Sequence, residues 1–162
     1  MRKIIYTLIT IVFLASSMQG LNLAVAETAT PKKTTAAYSA NPIRTTSLGI
    51  VKNPQIYLNK SVVMDATFDK FSTLGLDYKP AMRSSDDYIG ILIKRDDVID
   101  HTIPLSEMKL FLKRDLAEKN INLETDDKVQ ITGKVFSTAL GDPWIDITEI
   151  KILQKNPKSE KK

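Results

Sequence analysis

The chain has no cysteine and only one histidine, His101. The first absence excludes a disulfide framework, a thiolate nucleophile and a lipid-bearing cysteine. Together with the second it leaves a zinc site without its usual ligands. No G-x-S-x-G, P-loop or H-E-x-x-H segment occurs, and each of those spacings serves a specific chemistry. An active site needs a nucleophile, a base or a metal. His101 beside Asp100 is a proton-relay pair with no nucleophile motif to serve, so a partly exposed structural histidine is the simpler reading. The acidic pairs Asp86-Asp87, Asp96-Asp97 and Asp126-Asp127 lie outside any D-x-[DN]-x-[DN]-G calcium loop and read as strand-end turns. The expectation is a protein that is not an enzyme, with no metal and no cofactor.

Also missing is an apolar run long enough to span a bilayer, which takes about 20 residues. Residues 4–15 are apolar, but Ser16, Ser17, Gln19 and Asn22 break the run. Arg2 and Lys3 precede it, and Ala24-Val25-Ala26 sets small residues before Glu27. That order is expected of a secretory signal peptide over residues 1–26, cleaved after Ala26, and hence of a periplasmic or secreted mature chain. An exported domain of this size without disulfides must stand on its hydrophobic core.

Positive charge is scarce where a polyanion binder would need it. The whole chain carries +4, yet residues 45–153 hold fourteen Lys plus Arg against seventeen Asp plus Glu, a net of −3. The basic excess sits in residues 1–44 and in the tail over residues 154–162. A nucleic-acid-binding domain shows the reverse distribution.

What is present is alternation. Val129, Ile131, Gly133 and Val135 alternate with Gln130, Thr132 and Lys134, and Ile145 and Ile147 alternate with Asp146 and Thr148 before Ile150 and Ile152 continue the apolar face. Period two means a strand with one face buried, and Gly141-Asp142-Pro143 is a turn between two such strands. Residues 61–72 form an earlier strand with Val62, Met64, Ala66 and Phe68 on one face. Ala66 and Gly133 are small residues at the third inward position of their strands, which lets a strand coil sharply. The step from Phe68 to Phe71 breaks the phase and predicts a bulge near Asp69-Lys70.

The remaining elements follow in order. Residues 27–46 are rich in Thr, Ala, Ser and Pro and are expected to be a disordered linker. Residues 47–60 suggest a short helical turn, with Ser47 as N-cap and Pro54 ending it. Residues 73–87 are a long connection, of the kind that is functional or mobile. Residues 88–95 predict a second strand, with Ile89, Ile91 and Ile93 opposite Tyr88, Gly90, Leu92 and Lys94. Residues 98–103 predict a short third strand. Over residues 104–120, Leu105, Met108, Phe111 or Leu112, and Leu116 fall at helical spacing, so a helix is expected there with Asn120 as its C-cap. Residues 154–162 read as a flexible charged tail.

The predicted order is strand, strand, strand, helix, strand, strand. That is a mainly β chain, and a helix between the third and fourth strands of a closed five-stranded sheet is the OB-fold arrangement. The strand V-x-I-x-G-K-V at residues 129–135, the hairpin G-D-P-W-I-D-I at residues 141–147 and the helix before them resemble bacterial OB-fold domains. These include exported, BOF-like ones and anticodon-binding ones. The resemblance covers about residues 60–153 and is one of generic OB features; Ala66 stands where a glycine is usual.

The resemblance implies a five-stranded OB barrel over residues 47–153 and a binding groove on its second and third strands, flanked by the loops after the first and fourth. Tyr78, Lys79 and Arg83 from the first loop, with Tyr88 and Lys94 from the second strand, would line that groove. Met82, Leu92 and Trp144 lie nearby. A competing reading has Tyr78 and Met82 fold back over the mouth of the barrel. Asp77, Asp86, Asp87 and Asp142 alongside favour a protein, peptide or small polar ligand over single-stranded nucleic acid, which stays as the alternative.

Overall fold

The structure is a computed structural model that describes residues 41–98 and 103–157. The signal segment, most of the linker, Asp100, His101 and residues 158–162 lie outside the described residues.

Six strands form one sheet. They are β1 (Ile43–Arg44), β2 (Ser61–Ser72), β3 (Tyr88–Ile93), β4 (Lys109–Lys113), β5 (Lys128–Ser137) and β6 (Trp144–Gln154). Among the described residues, three short α-helices accompany them, α1 (Ser47–Lys52), α2 (Pro54–Tyr57) and α3 (Arg114–Lys119), and a 3-10 turn over Ala139–Gly141 joins β5 to β6. The strand order is β1-β2-β3-β4-β6-β5, and β5 also pairs with β2. Five strands therefore close into a ring of pairings, and β1 lies outside it, parallel to β2. All pairings in the ring are antiparallel except β4 with β6. This order, with α3 between the third and fourth strands of the ring, is consistent with the OB arrangement.

Alternation sets the core. Val62, Met64 and Phe68 from β2 meet Ile91 and Ile93 from β3, Leu110 and Leu112 from β4, Val129, Ile131 and Val135 from β5, and Ile145 and Ile147 from β6. The phase slip after Phe68 is a register shift between Phe68 and Lys70. It falls where β2 leaves β5, its partner up to Thr67, and takes up β3. A second slip, from Ile147 to Ile150, matches the shift that leaves Thr148 as an extra residue opposite Thr132 and Gly133.

Gly133 is closely approached by β6. A Cβ there would lie 2.7 Å from the carbonyl oxygen of Asp146 and 2.7 Å from Cγ2 of Ile145. The small inward residue is thus required by the close approach of β6.

Several expectations are corrected. The helix over residues 104–120 is real only from Arg114 to Lys119; Lys109–Lys113 is instead a strand. The third strand of the ring is therefore β4, and no described strand covers residues 98–103, of which 99–102 are outside the described set. Leu110, Phe111 and Leu112 are all buried. A strand covered on both faces shows a continuous apolar run, which periodicity cannot separate from a helix.

The linker also ends sooner than expected. Ile43 and Arg44 pair with Val62 and Val63, Arg44 bonds Asp65 at 2.5 Å, and Thr46 rather than Ser47 caps α1 through the amide of Gly49. Ser47 is buried in the first turn, 3.5 Å from Asp96 Oδ2. Pro54 opens α2 instead of ending the helical stretch. Among the described residues the strand count is six, because β1 adds to the expected five.

The tail, finally, is held at its start. Asp127 is fully buried. Its carboxylate accepts from the amides of Glu124 at 2.9 Å and Asn156 at 2.8 Å, and from Lys155 Nζ at 2.9 Å. Burial pushes this carboxyl up, but those donors outweigh it and the group titrates below the usual carboxylate range. A depressed folded-state value means stability that is present above the unfolded value of about 3.9 and lost as pH falls through the folded one. Asp127→Asn is expected to cost about 1–2 kcal/mol at neutral pH. The gap between the two melting midpoints should hold from pH 7 to pH 5 and shrink below about pH 4; a gap independent of pH would count against an ionised Asp127.

Candidate functional site

The site is the outer face of the ring at β3, β4 and β6. Phe111 points away from the core that Leu110 and Leu112 face, because successive side chains on a strand alternate. Opposite it on β3 is Gly90, and the next outward pair is Tyr88 with Lys113. Trp144 opens β6 beside Lys109, and Phe136 ends the row from β5.

The loop over residues 73–87 closes over these rings. Tyr78 stacks on Trp144 at 5.3 Å and 19°. Trp144 stacks on Phe111 at 5.7 Å, and Phe111 meets Phe136 at 6.3 Å. Gly75, at φ +83°, passes so close that a Cβ would lie 3.2 Å from both Phe111 and Trp144. This position needs glycine for conformation and for space. Ala81 fills the remaining gap and is buried with Phe111 and Trp144. Trp144 Nε1 donates to the carbonyl of Ala139 at 2.8 Å, so its one polar atom is satisfied.

Arg83 fastens the loop. Its guanidinium lies 3.8 Å above the centroid of Phe136 and 5.4 Å from that of Tyr88. It donates from Nε to Asp146 Oδ1 at 2.7 Å and from Nη2 to Oδ2 at 2.5 Å, a two-pronged pair that fixes orientation as well as charge. The Asp146 hydrogen bonds raise the already high pKa of Arg83, so the cation is permanent. At the loop's base, Asp77 accepts from the amide of Ser85 at 2.9 Å, and its own amide donates to the carbonyl of Arg83 at 2.9 Å. The Ser85 hydrogen bonds lower the Asp77 pKa.

Of the five residues expected to line a groove, Tyr78, Arg83 and Tyr88 come together here, but as parts of the closure. Lys79 is exposed at the rim and takes no part in the stack. Lys94 is beyond the far end of β3 and bonds Asp126 at 2.5 Å. The reading in which Tyr78 folds back is the one the geometry follows; Met82 is 69% exposed and does not fold with it. Sequence reasoning missed Phe111, Phe136, Gly75 and Asp146 as members of the site. The K-L-F-L-K run could have shown Phe111, read as a strand. Beside the closure lies an open cleft of about 380 Å³ between Tyr88, Lys113, Leu116, Lys119, Asp146 and Thr148.

No family model and no curated protein matches the chain. Solved structures align with the chain at low identity. An aspartyl-tRNA synthetase from Leishmania major aligns at 11% identity and TM-score 0.45, over 79% of this chain and 24% of that one. The asparaginyl-tRNA synthetase from Pyrococcus horikoshii gives 13% and 0.46, over 69% and 23%. An OBody bound to hen egg-white lysozyme gives 17% and 0.43, over 62% and 88%. The chain thus spans about a quarter of the two synthetases. Among the described residues, no helix is long and apolar enough to cross a membrane.

Proposed function

We propose that the chain is an exported, non-enzymatic OB-fold binding module of the bacterial envelope, and that its ligand is a peptide or protein segment. The OB assignment is supported by the strand order of the ring and the parallel β4–β6 pair. One observation carries the ligand class. The aromatic surface on which an OB module would stack bases is occupied by the protein's own Tyr78 and Arg83. The rim that stays exposed is mixed rather than cationic: Leu74, Met82 and Leu140 are 44%, 69% and 74% exposed, with Lys79 among them. Apolar side chains with isolated charges suit a peptide better than a polyanion. Export rests on the N-terminal order of basic, apolar and small residues.

Two measurements test this reading. Intact-mass analysis of the protein recovered from the cell envelope or medium is expected to show a chain starting at Glu27; retention of Met1 would overturn export. Titration of the isotopically labelled protein with a panel of mixed-charge peptides is expected to shift amides of residues 74–83 and 138–142. A panel that shifts none of them, while a small polar ligand or an oligonucleotide does, would overturn the peptide assignment.

A further inference from the structure

β6 is longer than the partner on its outer side. β4 pairs with it only at residues 144–146, after which the chain turns away into α3. β5 continues along the inner side to Gln154. Among the described residues, no strand pairs with the outer edge of β6 beyond Asp146. Thr148 and Leu153 are extra residues at two register shifts with β5, and between them residues 149–152 form a regular open edge. The opposite margin of the same small sheet is treated differently: β1 lies along β2 there, and Arg44 bonds Asp65.

Open edges are templates for another strand unless charge, bulges or proline blunt them. This one carries exposed apolar side chains, Ile152 at 43% and Leu153 at 53%. Its two charges, Glu149 and Lys151, are of opposite sign and lie on one face, 3.6 Å apart and mostly exposed. That spacing is self-complementary about Ile150.

We propose that the outer edge of β6 pairs antiparallel with β6 of a second copy of this chain, in the register that places Ile150 against the partner's Ile150. Glu149 then faces the partner's Lys151, and Lys151 faces the partner's Glu149. Thr148 and Ile152 end the ladder. A two-fold axis through Ile150 makes both contacts at once, as an isologous interface requires. Exposed Ile152 gains the partner's Ile150 as its diagonal neighbour. Centring one residue later sets Lys151 against the partner's Lys151, and one residue earlier sets Glu149 against the partner's Glu149. Opposite charges across strands attract and like charges repel, so charge selects the register. The interface is a short ladder without a wide apolar base, which makes it a weak, concentration-dependent dimer.

Sedimentation velocity over a concentration series tests this on four chains: wild type, Glu149→Lys, Lys151→Glu and the double exchange. All four share residues 1–40, so association arising there is equal in all. The positions are exposed, so all four should melt alike. The wild type is expected to dimerise, each single exchange to weaken the dimer by about tenfold or more, and the double exchange to restore it. A wild type that stays monomeric at about 1 mM would overturn the proposal. So would equal association of all four chains, or a monomer whose β6 edge takes up a strand from a different protein.

Discussion

Trp144→Ala is expected to lower the unfolding free energy by about 3–5 kcal/mol, the cost of deleting a fully buried aromatic ring. The ring is 1% exposed and lies between Tyr78 and Phe111, at 5.3 Å and 5.7 Å. Removing it takes the floor from under the 73–87 loop and strips one of two donors from the carbonyl of Ala139, which keeps the amide of Asp142 at 3.2 Å. The loss should therefore exceed simple transfer of the side chain, and backbone amides of residues 75–83 should exchange faster. Chemical denaturation with amide exchange checks both. A loss below about 1 kcal/mol would mean that the loop does not depend on the stack.

Gly133→Val is expected to cost about 3 kcal/mol, the upper end for overpacking. The added Cβ meets the Asp146 carbonyl and the Ile145 side chain, each at 2.7 Å. One is backbone of the neighbouring strand, which shifts only if the ring opens locally. Thr132→Val, one residue away on the wet face, is the control, with an expected change within about 0.5 kcal/mol. Equal melting midpoints for the two variants would show that β6 does not press on Gly133.

Both positions bear on how far the sequence reveals the fold. Gly133 was legible, because a small residue interrupting an inward apolar row points to a strand that coils sharply or is closely approached. So were the bulge after Phe68, the β5–β6 hairpin and the gathering of Tyr78, Arg83 and Tyr88 near one end of β3. Phe111 was not. Its strand is buried on the core side by Leu110 and Leu112 and on the outer side by the 73–87 loop, so K-L-F-L-K shows no alternation. Helical spacing through Leu105, Met108 and Leu116 then absorbed it. Asp146 was hidden for another reason. An acidic residue at an outward strand position reads as solvated, and its partner Arg83 is 63 residues away. Lys94 was placed in the groove by strand phase alone. Phase fixes the side of a sheet and says nothing of which end a residue occupies.

Closure of the 73–87 loop decides what the outer face can bind. If Tyr78 and Arg83 seal the aromatic face, that face offers no free ring for a base. The chain has a single tryptophan, and Trp144 lies at the centre of the seal, so its emission reports directly on this point. The decisive measurement is Trp144 fluorescence of the full chain during titration with single-stranded oligothymidylate, at a salt where the Debye length is about 8 Å. The predicted result is a blue-shifted emission that does not change as oligonucleotide is added. Saturable quenching at micromolar oligonucleotide, abolished by Tyr88→Ala and by Arg83→Ala, would show that the loop opens to let bases stack, and would contradict a sealed face.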